Sequence, residues 1–220
     1  ILALIVFLVL LFILVVPQLV TDYWWFSSLG FKQIFLINLE AKLLLFFAAG
    51  LLFLGFTTAN LWYASRSVKA SENTISRRTL LIVSVVLAFF VARFAATKWE
   101  TFLRFLRQSS FGIEDPVFLK DVSFYVFSLP FMQFAWTFLI LTLAITLILV
   151  LIFYFQSFIM EFLSGSMAPE GGLQQTSEKF NIKKELNKLK TRARMHISLL
   201  VALFFFVVGG KDEDYGFVFE

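Results

Sequence analysis

The sequence predicts an all-α protein, a polytopic transmembrane helical bundle with amphipathic helices at its interfaces. Three observations lead there. Of 220 residues, 60% are apolar and only 15% charged, against roughly a quarter charged in a soluble domain. The apolar residues are gathered into blocks of hydrocarbon length, as bilayer-spanning helices require. The polar intervals between the blocks alternate in their content of Lys and Arg. Mean hydropathy is +0.85, and 31 Phe residues suit a surface that faces lipid rather than water.

The first span is expected over 1–16, where Ile1 to Val16 is unbroken apolar and Pro17 ends the run. That is shorter than the roughly 20 residues a crossing needs. No small-residue cleavage site follows, so a missing start explains the length better than a signal peptide does. The chain opens without Met and closes on a short acidic piece, which predicts a part of something longer. Asp22-Tyr23-Trp24-Trp25-Phe26 and Leu29-Gly30-Phe31 come next. Tyr23, Trp24 and Trp25 are expected at a membrane interface, because their rings have one apolar and one wet end. A ligand-stacking platform is the sharper alternative. Ile34 to Ala64 is too long for one crossing, so it divides into an interfacial piece up to Leu39 and a span over 41–63. Glu40 and Lys42 then lie at the boundary, free to reach water.

A polar interval, Arg66 to Arg78, precedes the third span, 79–96. Arg93 lies within about a turn of that span's end, where snorkelling is the default and a buried partner the alternative. Lys98 to Arg107 places Trp99, Phe102, Leu103, Phe105 and Leu106 at the spacing of an amphipathic surface helix, and Trp99 joins the interfacial aromatics. The stretch from Phe111 to Phe131 mixes turn chemistry with dense aromatics. Asp115-Pro116 reads as helix N-cap and first helical position, Asp121 as the cap of a second short turn, and Pro130 as the start of the clearest span, 131–155. The interval 156–194 becomes basic, with Ile182, Leu186, Leu189 and Ala193 recurring on one helical face. Basic amphipathic helices beside a span lie on the anionic leaflet. Lys183, Lys184, Lys188 and Arg192 are therefore expected to contact anionic lipid or a partner subunit. A fifth span, 195–209, stops short, and the tail 211–220 does not continue it, which reads as omitted residues at the Gly210–Lys211 junction.

Orientation follows from the basic residues. The interval 65–78 carries four Lys or Arg and 156–194 carries seven, while 17–33 carries one and 97–130 carries four balanced by four acids. Cytoplasmic loops hold the basic excess. The expected arrangement in the cell membrane therefore has the N-terminus and 156–194 inside and 97–130 outside.

Two motifs carry a family resemblance. Asp22-Tyr23-Trp24-Trp25-Phe26 with Leu29-Gly30-Phe31 is one. Asp115-Pro116-Val117-Phe118, continuing through Asp121-Val122-Ser123-Phe124-Tyr125-Val126-Phe127 to Leu129-Pro130-Phe131, is the other and the more specific. Both resemble the uncharacterised protein family 0182, large integral membrane proteins of bacteria and some archaea. Arg192, Arg194 and His196 before the fifth span are also similar, and the resemblance runs over most of 15–205. It implies several N-terminal spans followed by a large extracytoplasmic domain. Lys211 to Glu220 departs from that pattern. The resemblance implies architecture and location, and no activity.

Chemical possibilities are narrow. No cysteine is present, which excludes disulfides and thiolate sites, and His196 is the only histidine, which excludes multi-histidine metal or haem sites built from this chain alone. The net charge of +4 is distributed by loop, so no nucleic-acid partner is expected, and no cofactor is expected either. Glu114, Asp115 and Asp121 are weak candidates for a hard cation, which wants several converging oxygens; capping explains two of them. No Ser/His/Asp set or Gly-rich phosphate loop can be assembled. Mid-span polar residues are mainly Thr57, Thr58, Asn60, Ser84, Thr142 and Thr146, with no acid at mid-depth, which disfavours proton coupling. Ala48, Ala49, Gly50 and Gly55 allow close helix approach on the second span. The favoured expectation is a structural or accessory subunit, not itself an enzyme, whose partners are the lipid bilayer and other membrane subunits. The alternatives are a transporter or channel component, or the membrane anchor of an extracytoplasmic enzyme domain.

Overall fold

The computed structural model describes residues 16–67, 77–166 and 176–215, with side chains for 16–66, 79–156 and 191–210. The expected first span, apart from Val16, lies outside the described residues, as does the end of the tail, 216–220. Among the described residues the protein is helical, with no strand beyond a single antiparallel bridge between Glu114 and Asp121.

Helix α1 covers 16–28. It closes in a Schellman cap. Gly30 takes a positive φ of 80°, its amide donates to the Ser27 carbonyl at 3.1 Å, and the Phe31 amide donates to Phe26 at 2.8 Å. Only glycine enters that left-handed region without strain, which accounts for the glycine in Leu29-Gly30-Phe31. The chain then turns directly into α2, Lys32–Ser67. This helix corrects the expected division at Leu39. No proline or glycine occurs between Lys32 and Ala49, and Glu40-Ala41-Lys42 are good helix formers. The backbone therefore continues as one rod.

Helix α3 is Arg77–Ala96 and α4 is Trp99–Leu106. A single wide turn of π-helix, Phe124–Ser128, leads into α5, Leu129–Ser166. Pro130 therefore does not begin the helix; helical backbone already starts at Val122. A proline inside a helix lacks a donor and crowds the carbonyl four residues back. The Leu129 amide bonds five residues back to Phe124, and this wide turn gives the ring its room. Helix α6, Thr176–Tyr215, takes in the basic stretch, the expected fifth span and the Gly210–Lys211 junction as one helix. Among the described residues, four helical stretches are long and apolar enough to cross a membrane: Lys32–Arg66, Thr79–Ala96, Phe124–Gln156 and Thr191–Gly210.

These pack up and down in sequence. Gly50 faces Ala92, while Leu61 and Ala64 share a cluster with Leu80, so α3 runs back along α2. Phe53 packs near Leu141 and Leu61 near Val150, so α5 runs parallel to α2. Trp136 meets Gly210 and Tyr154 meets His196, so α6 runs antiparallel to α5. Midway along the α2–α5 seam, Thr57 and Thr146 are fully buried and share a hydrogen bond of 2.9 Å. Two helices approaching in an apolar medium gain from such a bond, because neither hydroxyl has water as an alternative.

A methyl group built at Gly50 would stand 3.1 Å from Ala92 Cβ, whereas one at Gly55 meets nothing within 4 Å. Gly50→Leu should therefore lower the melting temperature of the purified protein, at a cost of about 1–3 kcal/mol. Gly55→Ala should be neutral or stabilising by up to about 1 kcal/mol. Equal melting temperatures for wild type and Gly50→Leu would show that this approach does not limit packing.

Candidate functional site

The most developed polar arrangement in the bundle is one that spacing in the sequence does not suggest. His196, 8% exposed, sits where α2, α5 and α6 converge. Its Nδ1 lies 3.1 Å from the Tyr154 hydroxyl and its Nε2 lies 3.1 Å from Asn60 Oδ1. Asn60 Nδ2 donates to the Phe56 carbonyl at 2.8 Å, which fixes the amide with its oxygen toward the imidazole. Nε2–H is then the donor to Asn60, and Nδ1 accepts from Tyr154. The Tyr63 ring stands edge-on to the imidazole at 4.8 Å. Three helices are thus joined through one ring. The knot faces an open groove of about 460 Å³ between α2 and α6, lined by Ala59, Asn60, Tyr63, Met195, His196 and Leu199.

At the opposite end of the bundle, the segment between α4 and α5 folds around Asp121. One of its carboxylate oxygens accepts the Ser123 amide at 2.8 Å and the Phe111 amide at 3.2 Å. The other accepts the Gly112 amide at 3.0 Å and the Ser110 hydroxyl. Asp121 therefore caps the entry to the long helix instead of a short turn. Asp115 accepts the Val117 amide at 3.1 Å and the Tyr125 hydroxyl at 2.8 Å. The capping chemistry expected at Asp115-Pro116 is present, but the helix is not. Leu119 takes a positive φ of 52°, which reverses the chain so that the Asp115 amide reaches the Lys120 carbonyl at 2.9 Å. Only a turn fits between them. The Ser110 hydroxyl and the surrounding amides hold the Asp121 carboxyl well below the usual range. The Val117 amide and the Tyr125 hydroxyl lower that of Asp115.

The other expected site residues are placed as follows. Glu114 pairs across the bridge with Asp121, but no group of three or more metal-capable side chains forms among the described residues. Trp24 and Trp25 are exposed. Lys32 stands over the Tyr23 ring at 5.5 Å and Lys42 over the Trp99 ring at 5.0 Å. The expected surface helix is α4, whose Phe105 stacks on Phe131 at 4.3 Å. Arg93 is exposed, and so is Arg192. The side chains of Lys183, Lys184 and Lys188 lie outside the described residues. Of the mid-span polar residues, Ser84 and Thr58 bond back to Leu80 and Leu54, while Thr142 is buried with its hydroxyl unpartnered.

This geometry defines a class: a helical bundle with four apolar helices of membrane length among the described residues, locked by buried polar side chains. The chain belongs to the Uncharacterised protein family (UPF0182), whose profile matches residues 1–212. It is similar to a UPF0182 protein of Pelotomaculum thermopropionicum, at 30% identity over 229 aligned positions covering 92% of this chain and 23% of the relative. It is similar to one of Methanospirillum hungatei, at 33% over 148 positions, covering 66% of this chain and 16% of the relative. A Salinispora tropica UPF0182 protein is 28% identical over 200 positions, covering 84% of this chain and 18% of that protein. The chain therefore spans less than a quarter of the length of these relatives. No solved structure matches it.

Two outcomes follow from this chemistry. His196→Ala strands Asn60 Oδ1 and should cost about 1–3 kcal/mol. In a double-mutant cycle with Asn60→Ala the losses should be non-additive, whereas additive losses in thermal melts would dissolve the knot. For Asp121, a folded-state value below the unfolded one means that its contribution is present above the ordinary carboxylate value of about 4 and is lost as pH falls through the depressed folded value. Hydrogen exchange at the Phe111, Gly112 and Ser123 amides, corrected for intrinsic rate, should stay slow until pH drops below that ordinary range. Asp121→Ala should speed it at neutral pH; unchanged protection would mean that the carboxylate does not hold the segment.

Proposed function

We propose that the chain is the membrane portion of a multi-pass cell-membrane protein and serves as a structural or accessory element of a larger membrane assembly. The observation that supports this reading is the outward surface of the long helices. Leu51 is 67% exposed, Ile82 64%, Phe90 63% and Phe206 76%. Contiguous apolar surface of this kind is a liability in water and a requirement in lipid or against partner helices. The ends of the bundle differ in charge. Arg66 closes α2 and Arg192 and Arg194 open the apolar part of α6 at one end, while the mixed-charge segment 97–123 lies at the other. The positive-inside rule puts the arginine end in the cytoplasm. A transport or channel component is the second reading, favoured by the Asn60–His196 pair lining an open groove. The fully buried Thr57–Thr146 contact weighs against a continuous wet path through the centre.

The test is twofold. Single-cysteine variants at Lys120 and Lys184 should be labelled from outside the cell at 120 and not at 184; the reverse would overturn the orientation. Gentle extraction should recover the protein in a defined larger complex. A monomer with substrate turnover of its own would overturn the accessory role.

A further inference from the structure

The groove beside His196 has a gradient of polarity along its length. Leu199 and Ala59 form its apolar part, while Met195 lies on the Arg192 side of His196, level with the polar groups. Asn60, Tyr63 and His196 form a polar shelf. Arg192 stands one turn further back on the same face of α6, since positions three, four and seven apart share a face, and its side chain is exposed. On α2, Arg66 stands a turn beyond Tyr63 at the same end, but its guanidinium packs 3.6 Å from the Trp62 ring, which lines a separate groove with Leu80, Leu81 and Phe153, so Arg192 is the cation that faces this one. Cation, hydrogen-bonding shelf and hydrocarbon channel therefore follow one another along the axis.

The depth fits this order. Asn60 is seven residues from the end of α2 at Ser67, about 10 Å at 1.5 Å per residue. The polar layer on each face is about 5–7 Å thick, so Asn60 stands at its inner edge, where ester carbonyls lie. The charge fits as well. From Leu186 to Gly210 the sequence has four cations and no acid, and from Ala41 to Ser67 it has no acid either. Asn60 commits one amide proton to Phe56, and an asparagine has a second to give.

We propose that the groove between α2 and α6 binds one phospholipid with an anionic headgroup. The phosphate lies against Arg192, an ester carbonyl accepts from Asn60, and an acyl chain runs past Leu199. A neighbouring helix would fill the apolar part of the groove, but it would give no reason for the cation and the donors to stand in this order. The arginine–phosphate contact is charge-assisted and strong but common to all phospholipids; the headgroup is selected by net charge, because the trimethylammonium of phosphatidylcholine would stand beside cations with no acid to pair it, and a glycerol headgroup would not.

This inference rests on the membrane reading above. The intact protein, purified in mild detergent, is exposed to phosphatidylglycerol or phosphatidylcholine and the retained lipid is counted by native mass spectrometry. Wild type should retain one phosphatidylglycerol in preference to phosphatidylcholine. Arg192→Gln should weaken that retention about tenfold. Leu199→Trp, at an exposed wall position, should abolish it without shifting the melting temperature, so loss of folding is not mistaken for loss of the site. Equal retention of the two lipids, or retention of neither, would overturn the proposal. So would a photo-crosslinking residue at position 199 that joins a protein segment instead of lipid. Absence of the protein from the membrane fraction would instead sink the membrane reading itself, and is scored separately.

Discussion

One imidazole ties three of the long helices together. His196 engages Asn60 on α2 and Tyr154 on α5 while belonging to α6. Its energetic weight comes from its surroundings. Each of these groups, if left alone in an apolar medium, would lose hydrogen bonds that water supplies elsewhere. The pairing is therefore enforced from both sides, since each partner is a penalty without the other. Most of the other described contacts between these helices are apolar and forgiving of small slides; this one has a single satisfied geometry. The Thr57–Thr146 bond reinforces the same seam deeper in the bundle.

The central rod is α2, which meets α3, α5 and α6. Its approach to α3 is close because Gly50 presents no side chain toward Ala92. Its approach to α5 is lined by Phe53, Thr57 and Leu61 at helical spacing. The parallel run of α2 and α5 obliges the chain to return through α3 and then cross over by way of α4 and the Asp121 segment. That segment is short of regular structure, yet the Phe111, Gly112 and Ser123 amides are collected by one carboxylate, which supplements the few backbone bonds of its single bridge.

The all-α bundle could be read from the sequence, because blocks of apolar residues separated by charged intervals have no other economical arrangement in three dimensions. Where helices break was harder to read. The division of α2 at Leu39 came from a rule about bilayer thickness, and hydropathy reports the solvent a residue prefers, not whether the backbone ladder continues. With good helix formers at Glu40, Ala41 and Lys42, it continues. At Asp115-Pro116 the local signal was sound in its chemistry and misleading in its extent, because the reversal depends on a left-handed Leu119 that residue type does not announce. His196 was legible only as part of the family-like set with Arg192 and Arg194, which says nothing of its partners. Its partners lie 136 and 42 positions away, and a lone histidine has no spacing to read. The aromatics were placed by type alone, and their cations, Lys32 over Tyr23 and Lys42 over Trp99, emerged only with the fold.

The seam between α5 and α6 has a clasp at each end. At one, the bare backbone of Gly210 admits the Trp136 indole so closely that an added Cβ would stand 3.3 Å from the ring. At the other, Tyr154 meets His196. Two anchored points fix both rotation and translation of one cylinder against another. Helix α6 is therefore held in a single register along its apolar length, and any force arriving through its basic N-terminal half is passed on to α5 as a lever would pass it, without slippage.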